Sequence, residues 1–389
     1  MYPEDFKEEK ELRKSKIVEA LNGADAILLS DNANLFYTSG RVFSGYTYID
    51  ASGNEIYFVR RPVGLMGDVF EYIRKPEQIP AILDKRGLSM PKSLALELDH
   101  ISYNDVVRLK NVFADSEIVN GSAVMRRVRS QKTELEISML RESAIHHREV
   151  YSRIEKVYRQ GMTDIELQIE IERQLRLAGN LGQFRISGQS MEIFMGNLLC
   201  GDNADAPTPY DFAMGGAGLD PSLPVGSNGT QIKPGMSVMV DMCGNFTGYM
   251  TDMTRCFYVG SLSDLARKAH NTSIAICHEL QHMAKPGTPT ASMYEKAVAM
   301  AEEAGLTDYF MGHAQKAGFV GHGVGIEVNE LPVLAPKSRD VLAVGNVIAI
   351  EPKFVIPSVG AVGIENTYVV TEDGLDVITD APEDLKELY

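Results

Sequence analysis

Residues 236–259 read MSVMVDMCGNFTGYMTDMTRCFYV, and this stretch predicts a β-hairpin. Two apolar runs flank residues 245–248 (NFTG), whose composition is typical of a tight turn. If the turn is centred in the middle of these four residues, Asp241 and Asp252 lie directly opposite each other, with Cβ atoms about 4.5–5.5 Å apart. Like charges at that separation destabilise a sheet. The hairpin therefore predicts a pair of acids that needs a counter-charge.

A second pair of acids is predicted near the C-terminus. Residues 346–351 form an apolar strand that ends in Glu351, and residues 363–370 form another strand that carries Glu365. A turn at residues 357–360 joins the two strands, so Glu351 and Glu365 can also face each other. Apolar neighbours flank both acids, which argues against a solvated position for either of them.

Four buried carboxylates would have to share protons unless cations compensate their charge. Two divalent ions neutralise four carboxylates, and bridging carboxylates suit a pair of metals about 3.5–4 Å apart. A nitrogen ligand is available in residues 321–325 (GHGVG), where His322 lies among glycines that let a ligand approach closely. One imidazole with four carboxylates suits Mn, Fe, Co or Zn better than Ca or Mg.

Each of these residues also has an ordinary structural explanation. An isolated aspartate in a hairpin is more often a turn residue or an ion-pair partner than a metal ligand. Five such positions, four of them paired across hairpins, are hard to obtain by chance. His313 lies nine residues before His322 and could also enter the site, but a surface histidine at a helix end explains it equally well.

Composition narrows the classes of partner and compartment. The chain has 389 residues, with 53 acidic and 38 basic side chains and a formal net charge of −15. This acid excess argues against nucleic acid or an anionic membrane as a partner, because both need a basic surface. The four cysteines form no CxxC pair, the N-terminus lacks a signal-peptide pattern, and no apolar run is long enough to span a membrane. We expect a cytoplasmic protein.

The pattern of the chain changes after about residue 125. Up to that point short apolar runs (24–29, 55–59, 93–98) alternate with helix-like spacing (4–22, 63–87), which predicts an α/β domain over residues 1–125. Residues 126–389 predict one α+β domain. Capping-box patterns at Thr133 and Thr163 begin two helices, extending to about residues 159 and 178, and further helices are expected at 262–284 and 290–304.

Taken in order, the five candidate ligands resemble the metal site of the creatinase/prolidase/methionine aminopeptidase superfamily, which has the pita-bread fold. Their surroundings carry the same resemblance: residues 233–236 (KPGM), 248–255 (GYMTDMTR), 321–328 (GHGVGIEV), 350–352 (IEP) and 364–367 (IENT) follow in the family's order. Residues 34–40 (NLFYTSG) are similar to an N-terminal motif of the Xaa-Pro peptidase branch. The resemblance implies an α/β N-terminal domain followed by an α+β pita-bread catalytic domain.

The resemblance also implies a chemistry, that of a metallopeptidase that cleaves short peptides before proline. Asp252 and Glu365 would bridge two divalent ions (Mn, Co, Zn or Fe), Asp241 would bind one ion, and His322 with Glu351 would bind the other. A hydroxide held between the ions would attack the carbonyl, and Glu351 would shuttle the proton. His322 and Glu351 are thus the candidate catalytic residues. Members of this branch are often dimers, so a homodimer is expected.

Three positions depart from the family pattern. Thr208 and Asn329 stand where the family usually has histidines, and Gly363 stands where it has an arginine. In the peptidases the two histidines help to hold the substrate and stabilise charge on the attacked oxygen. We therefore assign Thr208, Asn329 and His313 as candidate substrate contacts. Thr208 and Asn329 can still donate hydrogen bonds, but they carry no positive charge.

These departures leave three functions to distinguish. The first is a dinuclear-metal hydrolase of the Xaa-Pro dipeptidase or aminopeptidase type. The second is a divergent enzyme of the same fold, a lyase or hydrolase, that acts on a non-peptide small molecule. The third is a non-catalytic binding protein, against which the retention of all five ligands argues.

Overall fold

The computed structural model of the chain describes residues 6–188, 191 and 193–389. The chain divides into two compact units, Met1–Arg129 and Ser130–Tyr389. The domain boundary expected at residues 125/126 falls inside the helix Ser122–Ser130, four residues before this division. The domain limits at 1–125 and 126–389 stay predictions.

The first unit is built around a mixed six-stranded sheet. Its helices are α1 (Phe6–Ala20), α2 (Asn32–Ser39), α3 (Ile79–Lys85), α4 (Tyr103–Val112) and α5 (Ser122–Ser130). Its strands are β1 (Ala26–Leu29), β2 (Ser44–Asp50), β3 (Glu55–Arg61), β4 (Phe70–Tyr72), β5 (Ser93–Leu96) and β6 (Glu117–Asn120), in the order β4-β3-β2-β1-β5-β6. The helix expected over 63–87 is wrong in its first half. Gly64 and Gly67 adopt positive φ there, and β4 pairs with β3.

The second unit contains both helices and strands, as the α+β domain expected over residues 126–389 requires. Its helices are α6 (Glu134–Tyr151), α7 (Ile154–Val157), α8 (Asp164–Leu177), α9 (Asp264–Met283) and α10 (Thr290–Glu303). Its strands are β7 (Gly196–Cys200), β8 (Ser237–Asn245), β9 (Met250–Val259), β10 (Gly321–Gly323), β11 (Glu330–Leu334), β12 (Val347–Ile350), β13 (Lys353–Ile356), β14 (Gly360–Gly363), β15 (Asn366–Val370), β16 (Leu375–Val377) and β17 (Lys386–Leu388).

Helix starts in this unit follow the capping boxes. The Thr133 hydroxyl accepts a hydrogen bond from the Glu136 backbone N–H, and the Glu136 carboxylate accepts one from the Thr133 N–H. Thr163 and Glu166 repeat the arrangement at α8. The first of these helices ends at Tyr151 rather than near residue 159, because the chain breaks into the separate short helix α7.

Helices cover the sheets of the second unit on two sides. The sheets run β17-β9-β8-β7 and β11-β10-β12-β15-β16, with β13-β14 as a separate pair. The apolar faces of α6 and α8 pack on β7–β9 in one buried cluster. Helices α9 and α10 pack on β12, β13 and β14 in another. The strands that carry the candidate ligands therefore lie between two helical layers, where burial removes their acids from bulk water. Among the described residues, no helix is both long and apolar enough to cross a bilayer.

Candidate metal centre

The first hairpin forms as expected, but its register differs from the prediction. Cys243 pairs with Asp252, and Asp241 pairs with Thr254, so Asp241 and Asp252 are not directly opposite. The last pair of the ladder is Asn245 with Met250, so the turn lies one residue later in the chain than predicted. A shift of two positions in the pairing leaves side chains on the same face of the sheet. The two carboxylates therefore still share one face, as diagonal neighbours.

The second hairpin brings its acids face to face. Ile350 pairs with Asn366, Lys353 pairs with Gly363, and Glu351 and Glu365 lie between these two pairs in the same register. Pro352 interrupts the strand directly after Glu351, which is where β12 leaves one sheet and β13 begins another. The carboxylates thus sit at a break between sheets.

Arg255 fixes the two hairpins against each other. Its guanidinium donates hydrogen bonds of 2.8 Å to the carbonyl oxygens of both Thr254 and Glu365, and one of 2.7 Å to the Asn366 side chain. Thr367 adds a second link, since its hydroxyl donates to the carbonyl oxygen of Asp252 over 2.8 Å. Arg255 is buried, and burial lowers its pKa. These hydrogen bonds link the backbone of the first hairpin, at Asp252 and Thr254, to the second hairpin at Glu365 and Thr367.

His322 reaches the acids from a third direction. It lies on β10 between β11 and β12, and its Nδ1 is 3.1 Å from the Gly323 carbonyl oxygen. Donation from Nδ1 to that carbonyl leaves Nε2 facing the carboxylates. Nε2 lies 3.3 Å from Glu351 Oε1 and 3.9 Å from Asp252 Oδ2.

The five residues form two overlapping sets that share Glu365. Asp252, His322 and Glu365 offer ligand atoms within 4.8 Å of one another, and we call these three the histidine set. Asp241, Glu351 and Glu365 do the same, and we call them the carboxylate set. The structure thus brings together all five residues that the sequence singled out as ligands.

A lysine that the sequence analysis missed lies in the middle of the carboxylate set. The Nζ atom of Lys353 is 2.7 Å from Asp241 Oδ2, 2.7 Å from Glu351 Oε2 and 3.0 Å from Glu365 Oε2. Its side chain is fully buried, at 0% exposure. Part of the counter-charge that the acids require therefore comes from the chain itself. The signal was present in the sequence, as a single cation between the apolar runs 347–350 and 354–356.

The pKa values of these groups follow from burial and from one another's charges. Burial and the charge of Asp241 raise the pKa of Asp252 to about 7. Burial alone would raise the pKa of Glu351, but the charges of Lys353 and His322 lower it to about 2. Burial alone would lower the pKa of His322, yet its hydrogen bond to Glu351 and the charge of that carboxylate raise it to about 9. Glu351 is therefore held ionised by Lys353 and His322, whereas burial and neighbouring carboxylates favour the protonated form of Asp252.

The two sets differ in how well they fit a metal ion. In the histidine set, Glu365 Oε1 is buried and has no hydrogen-bond partner, while its Oε2 accepts from Thr254 over 2.8 Å and from Lys353. A buried carboxylate oxygen without a partner is costly, and a bound cation would satisfy it. The carboxylate set does not fit in the same way, because the Lys353 ammonium already contacts an oxygen of each member.

The five ligand residues line a pocket whose other lining residues are mostly apolar. Besides the five ligand residues, it is lined by Phe184, Ile186, Ile193, Gly196, Asn197, Asp211, Phe212, Ala213, Met214, Cys243, Phe319, Val328 and Asn329. The Asn329 amide is held by the loop before β7: it accepts from the Ser187 N–H over 2.6 Å and donates to the Ser187 carbonyl over 2.7 Å. Its side chain therefore both lines the pocket and fixes that wall.

The other two candidate substrate contacts have partners elsewhere. Thr208 lies in a neighbouring cavity, where its hydroxyl donates to the Pro224 carbonyl over 3.1 Å. His313 is partly exposed and pairs through Nδ1 with Asp205 over 2.9 Å. Neither belongs to the lining that the described residues give the metal-centre pocket. Gly363, where the family has an arginine, is the cross-strand partner of Lys353.

Comparisons with known proteins agree with this arrangement. The model of metallopeptidase family M24 matches residues 138–372, and that of the creatinase/prolidase N-terminal domain matches residues 15–131. A curated Xaa-Pro dipeptidase of Pyrococcus horikoshii is 26% identical over 382 residues, covering 95% of this chain and 97% of that protein. A second Xaa-Pro dipeptidase, from Pyrococcus furiosus, is 25% identical over 383 residues, with 96% and 99% covered.

Solved structures share the fold at lower identity. The Xaa-Pro dipeptidase from Bacillus anthracis superimposes with a TM-score of 0.80 at 24% identity, covering 97% of this chain and all of that one. The prolidase from Pyrococcus horikoshii gives a TM-score of 0.76 at 22% identity, again with 97% and 100% covered. The expected fold class, an α/β N-terminal domain followed by a pita-bread domain, is confirmed. The chain belongs to metallopeptidase family M24.

Proposed function

We propose that this chain is a metal-dependent Xaa-Pro peptidase that hydrolyses short peptides at the bond before proline. The observation that carries the proposal is the histidine set, with Glu351 beside it, in the lining of a pocket whose other residues are mostly apolar. The relatives named Xaa-Pro dipeptidase, which match over nearly the whole chain, support the choice of substrate.

Asp252, His322 and Glu365 would hold the ion, with Glu351 beside it. A divalent metal there supplies Lewis-acid polarisation of the scissile carbonyl and acidifies a water molecule. An imidazole with carboxylates fits Mn, Co, Zn or Fe. The sequence predicts two such ions. The number that binds depends on which carboxylate oxygens are not already paired with Lys353.

Glu351 and His322 are the proposed catalytic residues. Glu351 Oε2 lies 2.7 Å from Lys353 Nζ, and this ammonium holds the carboxylate as an anion; His322 Nε2, 3.3 Å from Glu351 Oε1, is the atom that would bind the ion. An ionised carboxylate in this place can take a proton from the attacking water and deliver it to the proline nitrogen as the C–N bond breaks. Lys353 fixes the orientation of that carboxylate, and His322 would hold the ion beside it.

The pocket wall supports an apolar ring as part of the substrate. The same pocket is lined by Phe184, Ile193, Phe212 and Phe319, and the pyrrolidine ring of proline is a compact apolar group. We retain Asn329 as a substrate-side residue because it lines this pocket. Contacts from Thr208 and His313 stay predictions.

The test is a metal and substrate panel. Metal-free protein is loaded with Mn²⁺, Co²⁺, Zn²⁺ or Fe²⁺ and assayed on Ala-Pro, Leu-Pro and Ala-Ala, with free amino acids measured by chromatography. We expect free proline from Ala-Pro and Leu-Pro, and no free alanine from Ala-Ala. Glu351→Gln should reduce kcat by about 10²- to 10⁴-fold, the usual contribution of general acid–base catalysis. Folded, metal-loaded protein that releases no proline would refute the proposal.

One observation favours a second candidate, an enzyme acting on a non-peptide small molecule. The side chains of Asn329 and Thr208 form hydrogen bonds to backbone groups of Ser187 and Pro224, and Gly363 has no side chain. Oxyanion stabilisation of the usual family kind thus has fewer donors available, and one such donor is worth about 10²–10³ in rate. Metal-dependent turnover of a non-peptide ester or amide, without turnover of Xaa-Pro peptides, would favour this candidate. Metal binding without any turnover would favour a binding protein.

A cytoplasmic homodimer without nucleic acid or membrane partners completes the proposal. The acid excess, the cysteine content and the family resemblance support it. Light scattering coupled to size-exclusion chromatography tests the dimer, which should elute at about twice the chain mass of 42.8 kDa.

A further inference from the structure

Lys353 lies where the second of two cations would have to bind. The carboxylate set offers one oxygen from each of Asp241, Glu351 and Glu365, and the Lys353 Nζ lies 2.7–3.0 Å from all three. An ammonium has three N–H donors. All three are matched by carboxylate oxygens, so the lysine fills this position with a complete set of charge-assisted hydrogen bonds.

The position of the lysine is fixed by the fold as well as by charge. Lys353 opens β13 directly after Pro352, and its backbone pairs with Gly363 on β14. Its carbonyl oxygen also accepts a hydrogen bond from the Met311 N–H over 2.9 Å. The side chain has 0% exposure, so the ammonium has no solvated position within reach without opening the hairpin.

A metal ion and this ammonium exclude each other. Divalent transition metals bind carboxylate oxygens at about 2.0–2.2 Å, so an ion shared by the carboxylate set would occupy the space of the Nζ atom. Two positive groups that close together would also repel strongly in a buried site. The histidine set has no such conflict. Within the described part of the chain the Lys353 ammonium forms its ion pairs with Asp241, Glu351 and Glu365, and the second oxygen of Glu365, Oε1, has no hydrogen-bond partner.

The charge of the cluster does not by itself fix the number of ions. With all four acids ionised, Lys353 and one divalent ion leave one negative charge, and Lys353 and two divalent ions leave one positive charge. The overlap between the Lys353 ammonium and a second ion is therefore what decides.

We propose that Lys353 replaces one of the two metal ions, so that this chain binds a single divalent ion at Asp252, His322 and Glu365, with Glu351 beside it. The inference concerns the same site as the proposed function and rests on its metal dependence. It replaces the expectation of two ions. Lys353 acts as a positioning residue, because it holds Asp241, Glu351 and Glu365 in place of a metal.

The test measures metal stoichiometry rather than turnover. Metal-free protein is equilibrated by dialysis against Mn²⁺, and bound metal is determined by elemental analysis and titration calorimetry. We expect one ion per wild-type chain and two per chain of Lys353→Met, which frees the carboxylate set. Electron paramagnetic resonance should give the signal of isolated Mn²⁺ in the wild type and that of a coupled pair in the variant.

A second substitution of Lys353 and a substitution of another buried lysine serve as controls. Lys353→Gln is a second substitution that removes the charge while keeping a polar side chain. Lys132→Met removes another buried lysine of the same unit, paired with Glu330 at 2.9 Å, and should leave the stoichiometry at one. Circular dichroism establishes that each variant is folded; if neither Lys353 variant folds, the wild-type stoichiometry and its resonance signal decide.

Three results would overturn the inference: two ions in the wild type, none in the wild type, or one in a folded Lys353 variant. The peptide panel decides the proposed function separately. A wild type that binds one ion and cleaves no Xaa-Pro peptide would refute the substrate while leaving the one-ion site intact. A two-ion wild type that cleaves Ala-Pro would do the reverse.

Discussion

Replacing Lys353 by methionine should cost stability in a way that metal reverses. The substitution keeps the length of the buried side chain but removes the ammonium that contacts Asp241, Glu351 and Glu365. Removing one partner of a buried ion pair typically costs about 3–5 kcal/mol, because the remaining charge stays buried. At about 2–4 °C per kcal/mol for a unit of this size, the melting temperature of metal-free protein should fall by about 6–20 °C.

Added metal should then close most of the gap between variant and wild type. A second site that the variant gains contributes about 2.7 kcal/mol when free metal is 100 times its Kd. Urea unfolding in chelator and in excess Mn²⁺ measures this, followed by circular dichroism because the chain has no tryptophan. Lys132→Met is the control, since it breaks a buried ion pair with Glu330 and should lose stability that metal does not restore.

Two outcomes would refute the reasoning. Metal-free Lys353→Met that is as stable as the wild type would mean that the ammonium does not compensate the acids. An unchanged stability gap in excess Mn²⁺ would mean that its removal does not open a cation site.

Three further changes test other parts of the unit. Burial and the charge of Arg255 lower the pKa of His147 to about 3, so only unfolded protein takes up this proton between pH 6.5 and 3. The free energy of unfolding should therefore decrease by about 2 kcal/mol as the pH is lowered from 7.5 to 5. In urea unfolding, His147→Asn should remove this part of the pH dependence. Arg255→Lys loses the fork that links Thr254 to Glu365, and should cost about 2–4 kcal/mol in the same assay. Asn329→Ala releases Ser187, and KM for Ala-Pro should rise about fivefold to tenfold with kcat nearly unchanged, measured by proline release.

Local patterns in the sequence were sufficient for much of the fold. Thr133 and Thr163 predicted helix starts because a capping box satisfies backbone groups within four residues, independently of the rest of the chain. Helix ends were harder to place, as in α6, because tertiary packing and not a local signal decides where the chain turns away. The register of the first hairpin was wrong by two positions, since several turns fit the residues around Gly248.

The candidate ligands were predictable for a different reason. An acid flanked by apolar residues on a strand is conspicuous, and the pairing of Glu351 with Glu365 followed from their spacing alone. The contacts that hold the acids in place were harder to predict from the sequence. The contacts of Arg255 join residues more than 100 positions apart, and such long-range hydrogen bonds have no local pattern.

Lys353 shows why a complete set of ligands does not by itself fix the number of metal ions. Each of the five ligand residues is present, and each would look the same in a chain that binds two ions. The acids require positive charge, but that requirement is indifferent to its source, and a buried ammonium with three carboxylate partners meets it as a metal would. One lysine two residues after Glu351 therefore changes the number of free cation positions while every ligand is kept. In a cluster of this kind, the positive side chains have to be counted together with the ligands before the metals are.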